Sequence, residues 1–146
     1  MEVPEPLLDP TSPFDDPRHI VECTGRILAT VSAFSDTELA YLRGESRLGR
    51  VATVGQDGTP HVAPVGWSYN EDQDAIDVGG RNFELSKKYR DVKRSGRAAI
   101  VVDDLASTDP WRPRGVEVRG RAEVVDDPGP MIRIHPDRVV SWGLDG

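Results

Sequence analysis

The stretch GRVATVGQDGTPHVAPVGWSYN, residues 49–70, constrains the fold more than any other part of the chain. Asp57-Gly58 stands between two apolar, β-branched runs. That is a strong hairpin signal, because the tight turn needs a positive φ that glycine adopts freely. Arg50 to Val54 reads as the outgoing strand and His61 to Trp67 as the return. Pro64 has no N–H to give to a ladder, so the return strand is expected to be an edge or to bulge there. No His-Asp-Ser set, paired cysteine or P-loop stands nearby. A sheet so poor in reactive side chains suits a protein whose chemistry is carried by a cofactor.

The same patterning extends in both directions. Ser35-Asp36-Thr37-Glu38 has capping-box spacing and opens a short helix over 36–43, with Gly44 to end it. Ala75 to Val78 is a third strand. Gly79-Gly80 breaks the pattern, and Asn82 is expected to cap a helix running to about Ser95. Arg97 to Val102 is a fourth strand, followed by a loop over Leu105 to Pro113 that carries Trp111. Gly115 to Val125, Met131 to Ile134 and Val139 to Trp142 complete the set. The expected class is mainly β, a six- to seven-stranded antiparallel barrel with peripheral helices.

A chain of 146 residues with 37% hydrophobic and 29% charged residues is ordinary for one soluble domain. It holds no apolar run of the roughly 20 residues a membrane helix needs, and no signal-like start. Its single cysteine, Cys23, excludes an internal disulfide and Cys-rich metal sites, and no His/Asp cluster suggests another metal. The reading is therefore cytoplasmic, without membrane or metal. The net charge of −7 argues against non-specific nucleic-acid binding. Residues 1–32 hold five of the twelve prolines and a net charge of −4, and are expected to form a flexible extension. Residues 33–146 then form the folded domain; the order VSAFSDTELAYL also allows a natural start at Val31.

Inside this acidic chain, Arg81 to Arg97 carries seven basic residues and two acidic ones, a net of +5. A charge run is most often a solvated helix face. Here two glycines and Asn82 precede it, and free N–H groups at a helix start favour a phosphate. Ser86 and Lys88 stand one turn in.

The segments RLGRVATVGQDGTPHVAPVGW, IDVGGRN, KKYRDVKRSGRAAIVVDD, DPWRPRGVEVRGRAEV and IRIHPDRVVSWGLD, in this order, resemble the split-barrel flavin and deazaflavin oxidoreductases related to pyridoxamine 5′-phosphate oxidase. They look most like the branch that uses the deazaflavin coenzyme F420. The resemblance covers about residues 34–144. It implies a split β-barrel and a homodimer with cofactor sites at the subunit interface. By position it makes Lys88 the phosphate-binding lysine, with Arg81 and Lys87 beside it. Ser86 falls where relatives often carry another polar or basic residue. Val78 and Gly79 match the backbone along the ring, and His61, Ala63, Pro64 and Val65 the strand lining its other side. Trp111 and Arg112 would come from the partner subunit or the rim, and Trp142 would lie near the interface. The link Asp126 to Pro130 is shorter than in many relatives, which bears on the shape of the substrate pocket.

Three functions fit this reading. The first is a coenzyme F420-dependent reductase delivering a hydride to a conjugated C=C, C=N or similar small-molecule acceptor. The second keeps the fold with FMN, as an oxidase or reductase. The third is a flavin or deazaflavin carrier without turnover. The surplus of cations around Lys88 favours the first, since the coenzyme F420 tail carries more negative charge than FMN. No residue is assigned as catalytic. His61 reads as structural or as a ligand contact. Asp103-Asp104 reads as a strand end, because adjacent strand residues point to opposite faces.

Overall fold

The computed structural model describes residues 20–23 and 27–145. β1 (Ile20–Cys23) and β2 (Ile27–Thr30) pair as a two-stranded antiparallel ribbon apart from the main sheet. The sequence reading expected no strands there, and residues 1–19 and 24–26 of its 1–32 extension lie outside the described residues. α1 (Asp36–Arg43) starts on the expected capping box. Ser35 Oγ accepts from the Glu38 N–H at 3.1 Å, and the Glu38 carboxylate accepts from the Ser35 N–H at 2.8 Å.

The rest is β3 (Gly49–Val54), β4 (Pro60–Asn70), β5 (Ala75–Gly79), α2 (Lys87–Ser95), β6 (Arg97–Thr108), β7 (Trp111–Val125) and β8 (Met131–Trp142). The six strands β3 to β8 close into a barrel in the order β3-β4-β5-β8-β7-β6, with β6 returning to β3, every pair antiparallel. The period-2 pattern explains the core. Val51, Ile76, Val78, Ile100, Val102, Val116, Val118, Ile132 and Ile134 all turn inward and are buried. Burying such a side chain stabilises by roughly 1.5–3 kcal/mol. Among the described residues, no helix is long and apolar enough to cross a membrane.

Three sequence expectations are corrected. The helix expected from Asn82 begins at Lys87 instead. Asn82 sits in the left-handed region at φ 51° and makes no side-chain cap, a 3-10 turn spans Phe83–Leu85, and Ser86 is the N-cap of α2. The extended backbone at Ser86, φ −79° and ψ 154°, interrupts the helical run and makes the two pieces distinct. The expected sixth and seventh strands are one strand, β8. The register steps between Arg119 and Gly120, so Asp137 is an extra residue in β8 and Pro136 is accommodated at the resulting bulge. The expected loop at Leu105 to Pro113 is an extension of the β6–β7 hairpin, paired out to Thr108 and Trp111, with an irregularity between Leu105 and Ser107.

Candidate active site

The barrel is split along β4. Residues Pro60 to Val65 pair with β3, whereas pairing with β5 begins only at Gly66. Pro64 has no N–H, so its pair with Arg50 belongs to the non-hydrogen-bonded set of the β3–β4 ladder, and Ala63 and Val65 make the bonds. Alternation then turns the N–H and C=O of Val62 and the C=O of Pro64 away from β3, toward the side where β5 has ended. Pro64 thus stands on a local edge, as expected from the sequence. That edge offers one donor and two acceptors to a ligand.

The start of α2 faces this edge. A groove of about 220 Å³ is lined by Val51, Thr53, His61 and Ala63 from the strands and by Lys87 and Lys88 from the helix. It continues past His61 and Lys87 into a second space of about 460 Å³ reaching Gln56, Asp57 and Thr59. Gly55 shows how tightly polar groups converge here. A Cβ on it would lie 3.1 Å from His61 Nε2, 3.3 Å from Lys87 Nζ and 3.4 Å from Asp57 Oδ1. Asp57 is held below its ordinary pKa mainly by the backbone N–H of Thr59, 3.0 Å away.

Asp91 fixes the helix to the sheet. It is 1% exposed and accepts from Thr53 Oγ1 at 3.0 Å, Lys87 Nζ at 3.2 Å and Arg94 at 3.3 Å. Burial alone would raise its pKa; hydrogen bonds from Lys87, Thr53 and Arg94 outweigh that and hold it low. Lys88 stands with Nζ 5.4 Å from the Phe83 ring centroid and pairs with no carboxylate among the described residues. A cation–π contact of this kind leaves the ammonium free to take an anion.

The expected site residues divide accordingly. Lys87, Lys88, His61 and Ala63 share the groove. Ser86 is at its margin with its hydroxyl committed, donating to the Phe83 carbonyl at 2.6 Å and accepting from the Tyr89 N–H at 3.3 Å. Val65 and Val78 are buried in the core, and their backbones are paired within the sheet. Gly79 lines a different groove with Gly66 and Met131, and Arg81 is exposed just beyond it. Trp111, 68% exposed, and Arg112 sit at the tip of the β6–β7 hairpin and line neither α2 space. Sequence reading missed Thr53, Gly55, Asp57 and Asp91, and counted Arg94 only among the surplus cations of the helix. The available signal for Asp91 was its place in the helix, four residues after Lys87 and three before Arg94. Among the described residues no cluster of three or more His, Cys, Asp or Glu side chains could hold a metal ion.

A six-stranded split barrel with paired lysines over a free strand edge has the parts of a protein that holds a phosphorylated ring cofactor. The chain belongs to the pyridoxamine 5′-phosphate oxidase family, whose pattern matches residues 35–139. It is an oxidoreductase of the flavin and deazaflavin split-barrel superfamily. It is 39% identical over 122 residues to 5a,11a-dehydrotetracycline/5a,11a-dehydrooxytetracycline reductase of Streptomyces rimosus, covering 77% of this chain and 85% of that one. The fold is shared with an FAD-binding protein of Mycobacterium smegmatis (TM-score 0.58, 22% identity, 77% of this chain and 97% of the other). An F420 reductase also shares it (TM-score 0.55, 23% identity, 69% and 94%).

Proposed function

We propose that this oxidoreductase is a coenzyme F420-dependent reductase acting on an electron-poor C=C bond of a small molecule. The observation that carries the reading is the pair Lys87 and Lys88 at the start of α2, beside the unpaired edge of β4. The residues fit such a cofactor. Lys88 pairs with no carboxylate among the described residues and can take a phosphate, and the Gly55 cradle leaves room where a side chain would intrude. The Val62 N–H can orient a ring carbonyl, while Val51 and Ala63 keep water from one wall. Held by these residues, a reduced deazaflavin would supply the hydride, and solvent would supply the proton. The chain's own residues bind, orient and exclude water, and none is assigned as an acid or base. The reductase named for Streptomyces rimosus supports a multi-ring, conjugated acceptor. The dimer with shared sites and a cytoplasmic setting belong to the same reading, supported by the family resemblance and the single cysteine.

Fluorescence titration of coenzyme F420 and FMN at one ionic strength tests the choice of cofactor. The deazaflavin is expected to bind more tightly, with a preference that shrinks as salt rises, because its tail contacts are screened. Equal affinity or preference for FMN would move the FMN-dependent reading to first place. Lys88→Ala is expected to weaken binding by roughly ten- to a hundredfold, the size of a lost charge-assisted hydrogen bond. Lys93→Ala, exposed further along α2, is the control and should cost far less. Equal losses would reduce the helix to a diffuse positive field.

A further inference from the structure

The glycines of the barrel strands fall into two kinds. Gly49, Gly115 and Gly120 are required by packing. A Cβ on Gly49 would lie 2.9 Å from Trp67, one on Gly115 would lie 2.7 Å from Trp142, and one on Gly120 would strike the His135 carbonyl. Gly66 and Gly79 are different. They are direct cross-strand partners on β4 and β5. A Cβ on Gly66 would meet nothing within 4 Å, and one on Gly79 would make only ordinary contacts at 3.8 and 3.9 Å. Neither has a positive φ. Nothing among the described residues demands glycine at either place. Gly66 stands in the interior of β4, where glycine is destabilising relative to alanine, and Gly79 is the last residue of β5. Such glycines mark places where a ligand or another backbone comes close to the sheet.

The surroundings describe that ligand. Gly66, Gly79 and Met131 form one row across β4, β5 and β8. They floor a groove of about 640 Å³, walled by the Pro128–Pro130 turn. That is within the range of small-molecule sites. Three strands at about 4.8 Å spacing make a floor about 10 Å wide. The polar side chains along it are Ser68 and Asp77, and Asp77 is already held by Arg133 at 2.8 Å. A flat, mostly apolar surface with the Ser68 hydroxyl at its side takes a fused-ring molecule lying face down.

We infer that this glycine-floored groove is the acceptor site, and that its occupant is a flat multi-ring conjugated molecule stacked on the Gly66–Gly79 pair. The inference rests on the reductase reading above. The test uses the full chain without cofactor and equilibrium dialysis of 5a,11a-dehydrooxytetracycline, the tetracyclic compound in the name of the Streptomyces relative. Gly66→Val places a β-branched side chain in open space, so its melting temperature should equal or exceed that of the parent. It should weaken binding of the tetracycle at least tenfold, with Gly66→Ala intermediate and coenzyme F420 affinity within twofold. Several results would overturn the assignment. They are a parent chain that binds no tetracycle, a Gly66→Val chain that binds it as the parent does, and a selective loss of coenzyme F420 affinity, which would place the cofactor's ring there. Loss of a dimer in sedimentation, with tetracycle binding intact, would do the same by showing that a second copy covers the floor. Cofactor titrations of the parent chain test the reductase reading separately, so the two can fail independently.

Discussion

Two carboxylates in this chain each collect one hydroxyl and two cations, one beside α1 and one beneath α2. Asp104 accepts from the Tyr41 hydroxyl at 2.8 Å, from Arg114 at 2.7 and 3.0 Å and from Arg47 at 3.1 Å. Asp91 accepts from Thr53, Lys87 and Arg94. The difference is where the cations end. Arg47 is 9% exposed and lies 3.9 Å over the Tyr41 ring, so its charge is consumed inside the joint. Lys87 is 48% exposed and reaches Asp91 from the wall of the α2 groove. The Asp104 joint clamps α1 to β6 and β7 away from the α2 groove, with its carboxylate 27% exposed. The Asp91 joint is buried at its carboxylate and open at its cations, so it anchors a helix while leaving positive charge at a site. The same grouping of side chains serves stability alone in one place and stability plus ligand charge in the other.

The largest expected effect is on the Asp104 joint. Asp104→Ala strands the Arg47 guanidinium and the Tyr41 hydroxyl and should lower stability by about 3 kcal/mol in urea denaturation. Cofactor affinity should stay within twofold. A larger loss of affinity would mean that the two joints are coupled. Asp91→Asn keeps the shape but removes the charge, and should cost about 1–2 kcal/mol. It should tighten binding of coenzyme F420 severalfold and steepen its salt dependence, since the groove gains one net positive charge. A weaker complex would show that Asp91 acts mainly by holding Lys87 in position.

Acid should separate the joints less sharply. Hydrogen bonds from Arg114, opposed by burial and helped by Tyr41 and Arg47, hold the Asp104 carboxyl well below the usual carboxylate range. Asp91 is also held low. A carboxylate depressed by folding stabilises the fold above its unfolded pKa, about 3.9 for Asp, and that contribution is lost as pH falls through the folded value. The urea midpoint should therefore hold from pH 7 to 5 and drop below about 4. Asp104→Asn should flatten that drop more than any exposed carboxylate does. The smallest expected effect is removal of residues 1–31. Ser32 and the Ala33 N–H bind Asp74 at 2.6 and 2.7 Å, and a chain beginning at Ser32 keeps both. Its melting temperature should stay close to that of the full chain.

What could be read in the sequence follows from how local each signal is. The Asp57-Gly58 turn and the Ser35–Glu38 capping box are complete within a few residues, and both stand where expected, with Gly58 at φ 87°. Pro136 looks like a strand breaker because the bulge that admits it depends on Gly120 across the ladder. Asn82 and Ser86 are both good cap residues, and the choice between them is made by packing of Phe83 and Tyr89, whose rings meet edge to face at 5.9 Å. In the site, Lys87 and Lys88 were visible as charge. Asp91 was not, because Thr53 on β3 supplies its hydroxyl partner. The open space over Gly66 has no sequence signature at all.

The closure of the barrel has a consequence for how the chain is made. β5 ends at Gly79, and its partner strand β8 begins only at Met131. At ordinary elongation rates that interval lasts about 3–10 seconds on the ribosome. During it Ala75 to Gly79 present a bare ladder of backbone groups, a template for pairing with a neighbouring nascent chain. The strand is short, carries Asp77 in its middle and ends in glycine. Those traits blunt an exposed edge, so the strand that waits longest for its partner is also the one least suited to recruiting a wrong one.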